Sequence, residues 1–203
     1  MKRIAVIASG RGSNFQAVID AIRNGSVPAE CAALITDNPK AYALERAKKA
    51  GVPCRVIDYA TFPSREIYER ALLAAMQDVN ADLFVLAGYM RILGASIVKA
   101  FPGKIINIHP ALLPSFTGLH AQRQAVQHGV KVAGCTVHFV DESLDGGPII
   151  LQECVPVLET DDEDALSGRI LEHEHECLPE AIRLFCEERL VIEGRKVRVR
   201  LSS

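Results

Sequence analysis

The sequence predicts an α/β fold: an open, mainly parallel twisted sheet with helices on both faces and an antiparallel excursion towards the C-terminus. Three observations lead there. Ile4-Ala5-Val6-Ile7-Ala8 is a continuous apolar, β-branched run, the pattern of a strand covered on both faces. It feeds a glycine turn, Ser9-Gly10-Arg11-Gly12-Ser13-Asn14, and then a helix. Apolar runs of strand length then alternate with helical stretches through the first half of the chain, which implies right-handed crossovers in a parallel sheet.

The elements follow in order. Phe15 to Ile22 is a helix closed by Asn24-Gly25, and Cys31 to Thr36 is the second strand. Asn38-Pro39 reads as a helix start, Asn as cap and Pro in the first turn, with the helix over 40–50 stopped by Gly51. Cys54 to Ile57 is a short third strand. Ser64 caps a helix to about Asn80, its stripe formed by Ile67, Ala71, Leu72, Ala75, Met76 and Val79. Leu83 to Ala87 is the fourth strand. Lys104 to Pro110 holds the fifth, with Ile105, Ile106 and Ile108 buried. Gly134 to Val140 then alternates, Val137 and Phe139 against Thr136 and His138. Ile149 to Val157 is extended again, and the loop between them is too elaborate for a simple hairpin. Thr160-Asp161-Asp162-Glu163 reads as a capping box opening a helix to Glu188, which Pro179 should kink or break. Val191 to Leu201 suggests a terminal hairpin around Glu193-Gly194.

At 203 residues the chain is expected to form one domain, with a phosphate-binding half over 1–100, a catalytic half over 101–190 and an extension over 191–203. A hydrophobic content of 49% and a charged content of 24% are those of a globular protein. A net charge of −2 gives no reason to expect nucleic acid or an anionic membrane. The apolar run after Met1-Lys2-Arg3 ends too soon for a signal peptide, and no segment approaches membrane-spanning length. Cys31, Cys54, Cys135, Cys154, Cys177 and Cys186 are scattered without CxxC pairs, as free thiols in a reducing compartment are. The expected location is therefore cytoplasmic.

Three motifs carry chemistry. Gly10 and Gly12 free the backbone to aim N–H groups, with the Ser13 hydroxyl, at an anion on a helix N-terminus. Phe15 stands where the third glycine of a dinucleotide fingerprint belongs, so a phosphate suits the turn better. Asn107 and His109, two apart on a strand, share a face; they read as a polar pair at the strand's end or as an ordinary turn Asn beside a core His. Asp145, in Leu144-Asp145-Gly146-Gly147-Pro148, is a surface turn residue unless its loop folds over the sheet edge, where it could reach His109. In open α/β sheets ligands sit at the carboxyl ends of the strands, where these motifs fall.

Ser9-Gly10-Arg11-Gly12-Ser13-Asn14, Ala87-Gly88-Tyr89-Met90-Arg91-Ile92-Leu93, Asn107-Ile108-His109-Pro110, Gly118-Leu119-His120 and Leu144-Asp145-Gly146-Gly147-Pro148 occur in this order. Together they closely resemble the phosphoribosylglycinamide formyltransferase family, folate-dependent transformylases of purine biosynthesis, up to about residue 190. The resemblance implies a formyl transfer from 10-formyltetrahydrofolate, as co-substrate, to glycinamide ribotide. It implies Asn107, His109 and Asp145 as catalytic groups, Gly12, Ser13 and Asn14 at the substrate phosphate, and Glu174 at its ribose. Met90, Arg91, Ile92 and Leu93, the loop from Val140 and Asp141 to Asp145, and Asn107 would line the donor site, with Arg65 near the folate tail. Thr117 and Gln122 depart from the family pattern, which has Pro and His at these places in many members. No metal is expected, because His173 and His175, two apart on a helix, point to different sides. The expected partners are small-molecule substrates, with no nucleic acid and no membrane, and the chain is expected to be a monomer or homodimer. The alternatives are another 10-formyltetrahydrofolate-using formyltransferase or deformylase and, from a different class, a nucleotide-binding module without catalysis.

Overall fold

Strand β1 (Lys2–Ile7) is the spine of the N-terminal half, and Ile4, Ala5, Val6 and Ile7 have no solvent exposure. Such burial is possible because both edges and both faces of the strand are covered. In the computed structural model, which describes residues 1–201, the chain forms two units, Met1–Ile106 and a second starting at Asn107. The last two positions of the expected 191–203 extension lie outside the described residues.

The first unit contains β1, α1 (Ser13–Arg23), β2 (Ala29–Thr36), α2 (Ala43–Ala50), β3 (Cys54–Val56), α3 (Arg65–Val79), β4 (Leu83–Leu86) and α4 (Ala95–Ala100). Its strands run in the order β3-β2-β1-β4, every pairing parallel. Val6 stands between Leu34 of β2 and Val85 of β4, so the carboxyl ends of β1 and β4 emerge side by side. Strand β5 (Ile105–His109) begins in this unit and ends in the second.

The second unit continues with α5 (Ala121–His128), β6 (Val132–Phe139), β7 (Ile149–Pro156), α6 (Glu163–Cys186), β8 (Leu190–Glu193) and β9 (Lys196–Val199). Strands β6 and β7 are antiparallel, β9 joins β7 in parallel, and β8 closes the expected hairpin on β9. The sheet is therefore mixed and mostly parallel, with antiparallel strands at the C-terminal end.

Four local expectations need correction. Asn38 does not start a helix: its Oδ1 accepts from the Lys40 amide and its Nδ2 donates to the Ser9 carbonyl, so it builds a turn, and α2 begins only at Ala43. On α3, Leu72, Met76 and Val79 are buried as expected, but Ile67 is exposed and Tyr68 takes its place, with Ala71 and Ala75 half-buried at the stripe's edge. Asp162, not Thr160, caps α6 through the Ala165 amide (2.8 Å), and Asp161 is held outside the helix by Nη1 and Nη2 of Arg169 (2.6 and 2.9 Å). Pro179 neither ends nor divides α6; Leu178, Pro179, Ala181 and Ile182 are all buried, and this packing offsets the roughly 3 kcal/mol that an interior proline costs.

Strand β6 also departs from simple alternation, because Ala133 to Phe139 are buried on both faces. Its polar members are satisfied internally. Thr136 donates to the Ala111 carbonyl (2.7 Å) and accepts from the Leu113 amide (3.1 Å), tying the segment after β5 to β6.

Candidate functional site

Each unit brings together its own set of the expected residues. In the first, Gly12 occupies the cap position of α1 at φ 68° and ψ 32° and offers no side-chain cap. The first turn of α1 holds no acidic residue, so its amides and the Ser13 hydroxyl form an anion-accepting end. A Cβ on Gly12 would stand 2.7 Å from Cβ of Ala43, so glycine is required by conformation and by space alike. Gly10 does not use the positive φ expected of it, and a Cβ there would meet nothing within 4 Å. The turn is braced by α2: the Ala43 amide donates to the Gly10 carbonyl (3.1 Å) and Arg46 Nε to the Arg11 carbonyl (2.9 Å). Asn14 is buried at the base of the helix.

The segment after β4 is tied to the same turn. The Ser9 amide donates to the Gly88 carbonyl (3.1 Å), and the Ser9 hydroxyl accepts from the Met90 amide (3.0 Å). The Arg91 side chain turns back into the fold, its Nε 2.6 Å from Oδ2 of Asp37 and its guanidinium 3.4 Å above the Tyr59 ring. The Tyr68 and Tyr89 hydroxyls share a hydrogen bond (2.7 Å), and burial pushes both phenols up from their ordinary value. Arg65 pairs with Glu69 (2.6 Å) and donates to the Ile92 carbonyl (3.2 Å). Met90 and Ile92 remain exposed, while Leu93 is buried. This apolar surface beside anchored backbone is chemically suited to a flat, heteroaromatic ligand.

Asp37, with its side chain 4% exposed, was not foreseen. Asp37→Asn is expected to leave the Arg91 cation without its counter-charge and to cost about 1–3 kcal/mol, read by thermal denaturation.

In the second unit, β5 delivers Asn107 and His109 from one strand, as their spacing implies. His109 Nε2 lies 2.8 Å from the Phe116 carbonyl, and Nδ1 lies 3.6 Å from Oδ2 of Asp145. Each ring nitrogen thus faces an oxygen, an arrangement that the doubly protonated ring satisfies. Asp145 adopts φ 50°, and its Oδ2 accepts from the Gly118 amide (2.8 Å), so a left-handed backbone and a loop amide aim a carboxylate that is only 11% exposed. In the same loop Asp141 accepts from the Ser143 amide (2.8 Å) and from the Ser143 hydroxyl, and Val140 follows directly on β6. Glu174 is buried on α6. Nearby, Cys135 is hydrogen-bonded to Cys177, and that bond, burial and the charge of Glu174 push its thiol far up.

His138 is the member that sequence reasoning missed. Its Nδ1 lies 2.9 Å from the Phe139 carbonyl and its Nε2 lies 3.3 Å from Nδ2 of Asn107 and 3.9 Å from Oδ1 of Asp145. With Nδ1 donating to the carbonyl, Nε2 accepts from the Asn107 amide and orients it. Burial lowers the His138 pKa from the ordinary 6.5, so the neutral ring is the folded form. The unfolded chain then binds a proton here that the folded chain refuses, and stability falls as pH drops below about 6.5. The wild-type Tm is expected to fall between pH 7 and 5 more steeply than that of His138→Asn, measured by calorimetry. Its one sequence signal was a histidine alternating with apolar residues, which resembles any solvent-facing strand position.

Among the described residues no group of three or more His, Cys, Asp or Glu is placed to hold a metal ion, and no helix is long and apolar enough to cross a membrane. All six cysteines are free.

The sheet is Rossmann-like and mostly parallel, and its second unit carries a half-buried amide, a buried imidazole and a largely covered carboxylate within reach of one another, a set suited to group-transfer chemistry. Residues 2–182 match the family described as formyl transferase. Over 187 residues the chain is 42% identical to the phosphoribosylglycinamide formyltransferase of Escherichia coli, covering 92% of this chain and 88% of that protein. It is 46% identical to the trifunctional purine biosynthetic protein adenosine-3 of Drosophila melanogaster, covering 90% of this chain but only 14% of that longer protein. The crystal structure of glycinamide ribonucleotide transformylase 1 from Symbiobacterium toebii superposes with a TM-score of 0.95 at 55% identity, covering 98% of this chain and 94% of that one. The chain belongs to the formyl transferase family.

Proposed function

We propose that the protein transfers the formyl group of 10-formyltetrahydrofolate to the amine of 5-phosphoribosylglycinamide, giving the N-formyl product and tetrahydrofolate in de novo purine biosynthesis. The observation that carries the mechanism is the approach of Asp145 to His109, 3.6 Å apart, in a setting where Asn107 is oriented by His138. The substrate amine attacks the formyl carbon and forms a tetrahedral oxyanion. Asn107 Nδ2 and protonated His109 donate to that oxygen. Asp145, facing His109 Nδ1, holds the ring in place and relays, through water, the proton that leaves the attacking nitrogen and arrives on N10 as the carbon–N10 bond breaks. The Phe116 carbonyl now accepts from His109 Nε2, and the formyl oxygen takes its place.

The remaining assignments follow the family pattern. Gly12, Ser13 and Asn14 hold the substrate phosphate and Glu174 its ribose. Met90 to Leu93, Val140, Asp141 and Asn107 line the donor site, and Arg65 meets the folate tail. Neither substrate requires a resident metal. The chain works as one catalytic domain in the cytoplasm, a reducing compartment that suits six free thiols.

The test is an assay with a 10-formylfolate donor and three acceptors offered separately: glycinamide ribotide, initiator Met-tRNA and water. Formylation of the ribotide alone is the expected result. Donor consumption at an equal rate without ribotide would replace the proposal with a deformylase.

A further inference from the structure

The hairpin of β8 and β9 lies beyond residue 182, where the family match ends, and no step above uses it. Its turn is Gly194-Arg195, between the paired residues Glu193 and Lys196. Lys196 in turn pairs with Ile149, the first residue of β7, so the backbone beside Arg195 is fixed against the strand that follows the Asp145 loop. The base of the hairpin is tied as well, because the Arg200 amide donates to the Arg189 carbonyl (2.8 Å) and Arg189 Nε to the Arg200 carbonyl (2.7 Å). From this support Arg195 Nη2 reaches the Gly146 carbonyl at 3.1 Å, one residue after Asp145.

That carbonyl is a consequential place to hold. Asp145 sits at positive φ, where a non-glycine residue is strained, and its carboxylate direction depends on the peptide that follows. The far limb of the loop is already pinned, with the Phe139 amide donating to the Pro148 carbonyl (2.9 Å) and Gly147 pressed so closely on the Phe139 carbonyl that a Cβ would collide with it. The Gly118 amide restrains the carboxylate itself. Arg195 adds the restraint between these two.

We propose that Arg195 is a positioning residue for formyl transfer: by holding the Gly146 carbonyl it sets the Asp145 carboxylate against His109, which makes the terminal hairpin a working part of the site. The proposal rests on the function given above and on Asp145 acting through His109.

The full-length chain is compared with Arg195→Ala, Arg195→Lys and Arg198→Ala, the last removing an exposed ion pair with Glu193 within the hairpin. Loss of one charge-assisted hydrogen bond to the loop is expected to lower kcat about fivefold to tenfold in Arg195→Ala. Both KM values should stay near wild type, because the proposed role is exerted through the Gly146 carbonyl rather than on either substrate. Arg195→Lys, which keeps a cationic donor, should recover most of the loss, and Arg198→Ala should match wild type. Amide hydrogen exchange across residues 140–147 should quicken in Arg195→Ala alone. Wild-type kcat and exchange in Arg195→Ala would overturn the proposal, as would an equal loss in Arg198→Ala. A wild-type enzyme that formylates no glycinamide ribotide refutes the functional reading instead, and the exchange measurement still decides whether Arg195 holds the loop.

Discussion

Replacing His109 by alanine is expected to lower kcat about a hundredfold to a thousandfold while both substrates still bind. The ring stands between the Phe116 carbonyl and the Asp145 carboxylate, and in the proposed mechanism it serves the oxyanion through one nitrogen and is held by the other. Removing a single preorganised oxyanion donor costs about 2.7–4 kcal/mol of transition-state stabilisation, which sets that range. Asp145→Asn should fall by a similar factor for a different reason. It keeps a hydrogen-bond acceptor for Gly118 but removes the charge facing Nδ1. In the proposed mechanism the two residues act as one unit, so the double variant should be little worse than either alone, and steady-state kinetics of the three proteins would show it. Turnover within tenfold of wild type in either purified, folded single variant would remove these residues from the mechanism.

Gly12→Ala is expected to have the second largest effect, on binding rather than turnover. The alanine must hold φ 68° and bring its Cβ to 2.7 Å from that of Ala43, which together cost about 2–4 kcal/mol unless the turn opens. An opened turn would no longer aim the first amides of α1 at the phosphate that the proposed function places there, so KM for the ribotide should rise at least about tenfold with a smaller change in KM for the donor. Gly10→Ala is the matched control, since a Cβ there meets nothing within 4 Å and the φ is not positive. Equal KM values in the two variants would sink the assignment of the turn to the phosphate.

Much of this was legible from local pattern. The buried run at Ile4 to Ile7, the glycine turn and the two-residue spacing of Asn107 and His109 are consequences of backbone geometry that a short stretch of chain carries by itself. Ser64 as a cap was equally readable, because a hydroxyl before an apolar-periodic stretch has one obvious use, and it bonds the Ile67 amide at 3.4 Å. Asn38 and Thr160 offered the same signal and misled. In both places the groups that could cap a helix had better partners: Ser9 and the local turn for Asn38, and Asp162 in competition with Thr160.

The sequence by itself determined an α/β sheet with its polar motifs at strand ends, since periodicity, capping and turn residues are properties of neighbours in the chain. Only the tertiary structure decided that Asp145 meets His109, that His138 turns inward to hold Asn107, that Arg91 is spent on Asp37, and that Arg195 reaches Gly146. Each of these joins residues far apart in the chain through a side-chain direction or a positive φ. Such choices are made by packing, where burial requires every polar atom to find its partner, and no local pattern records them.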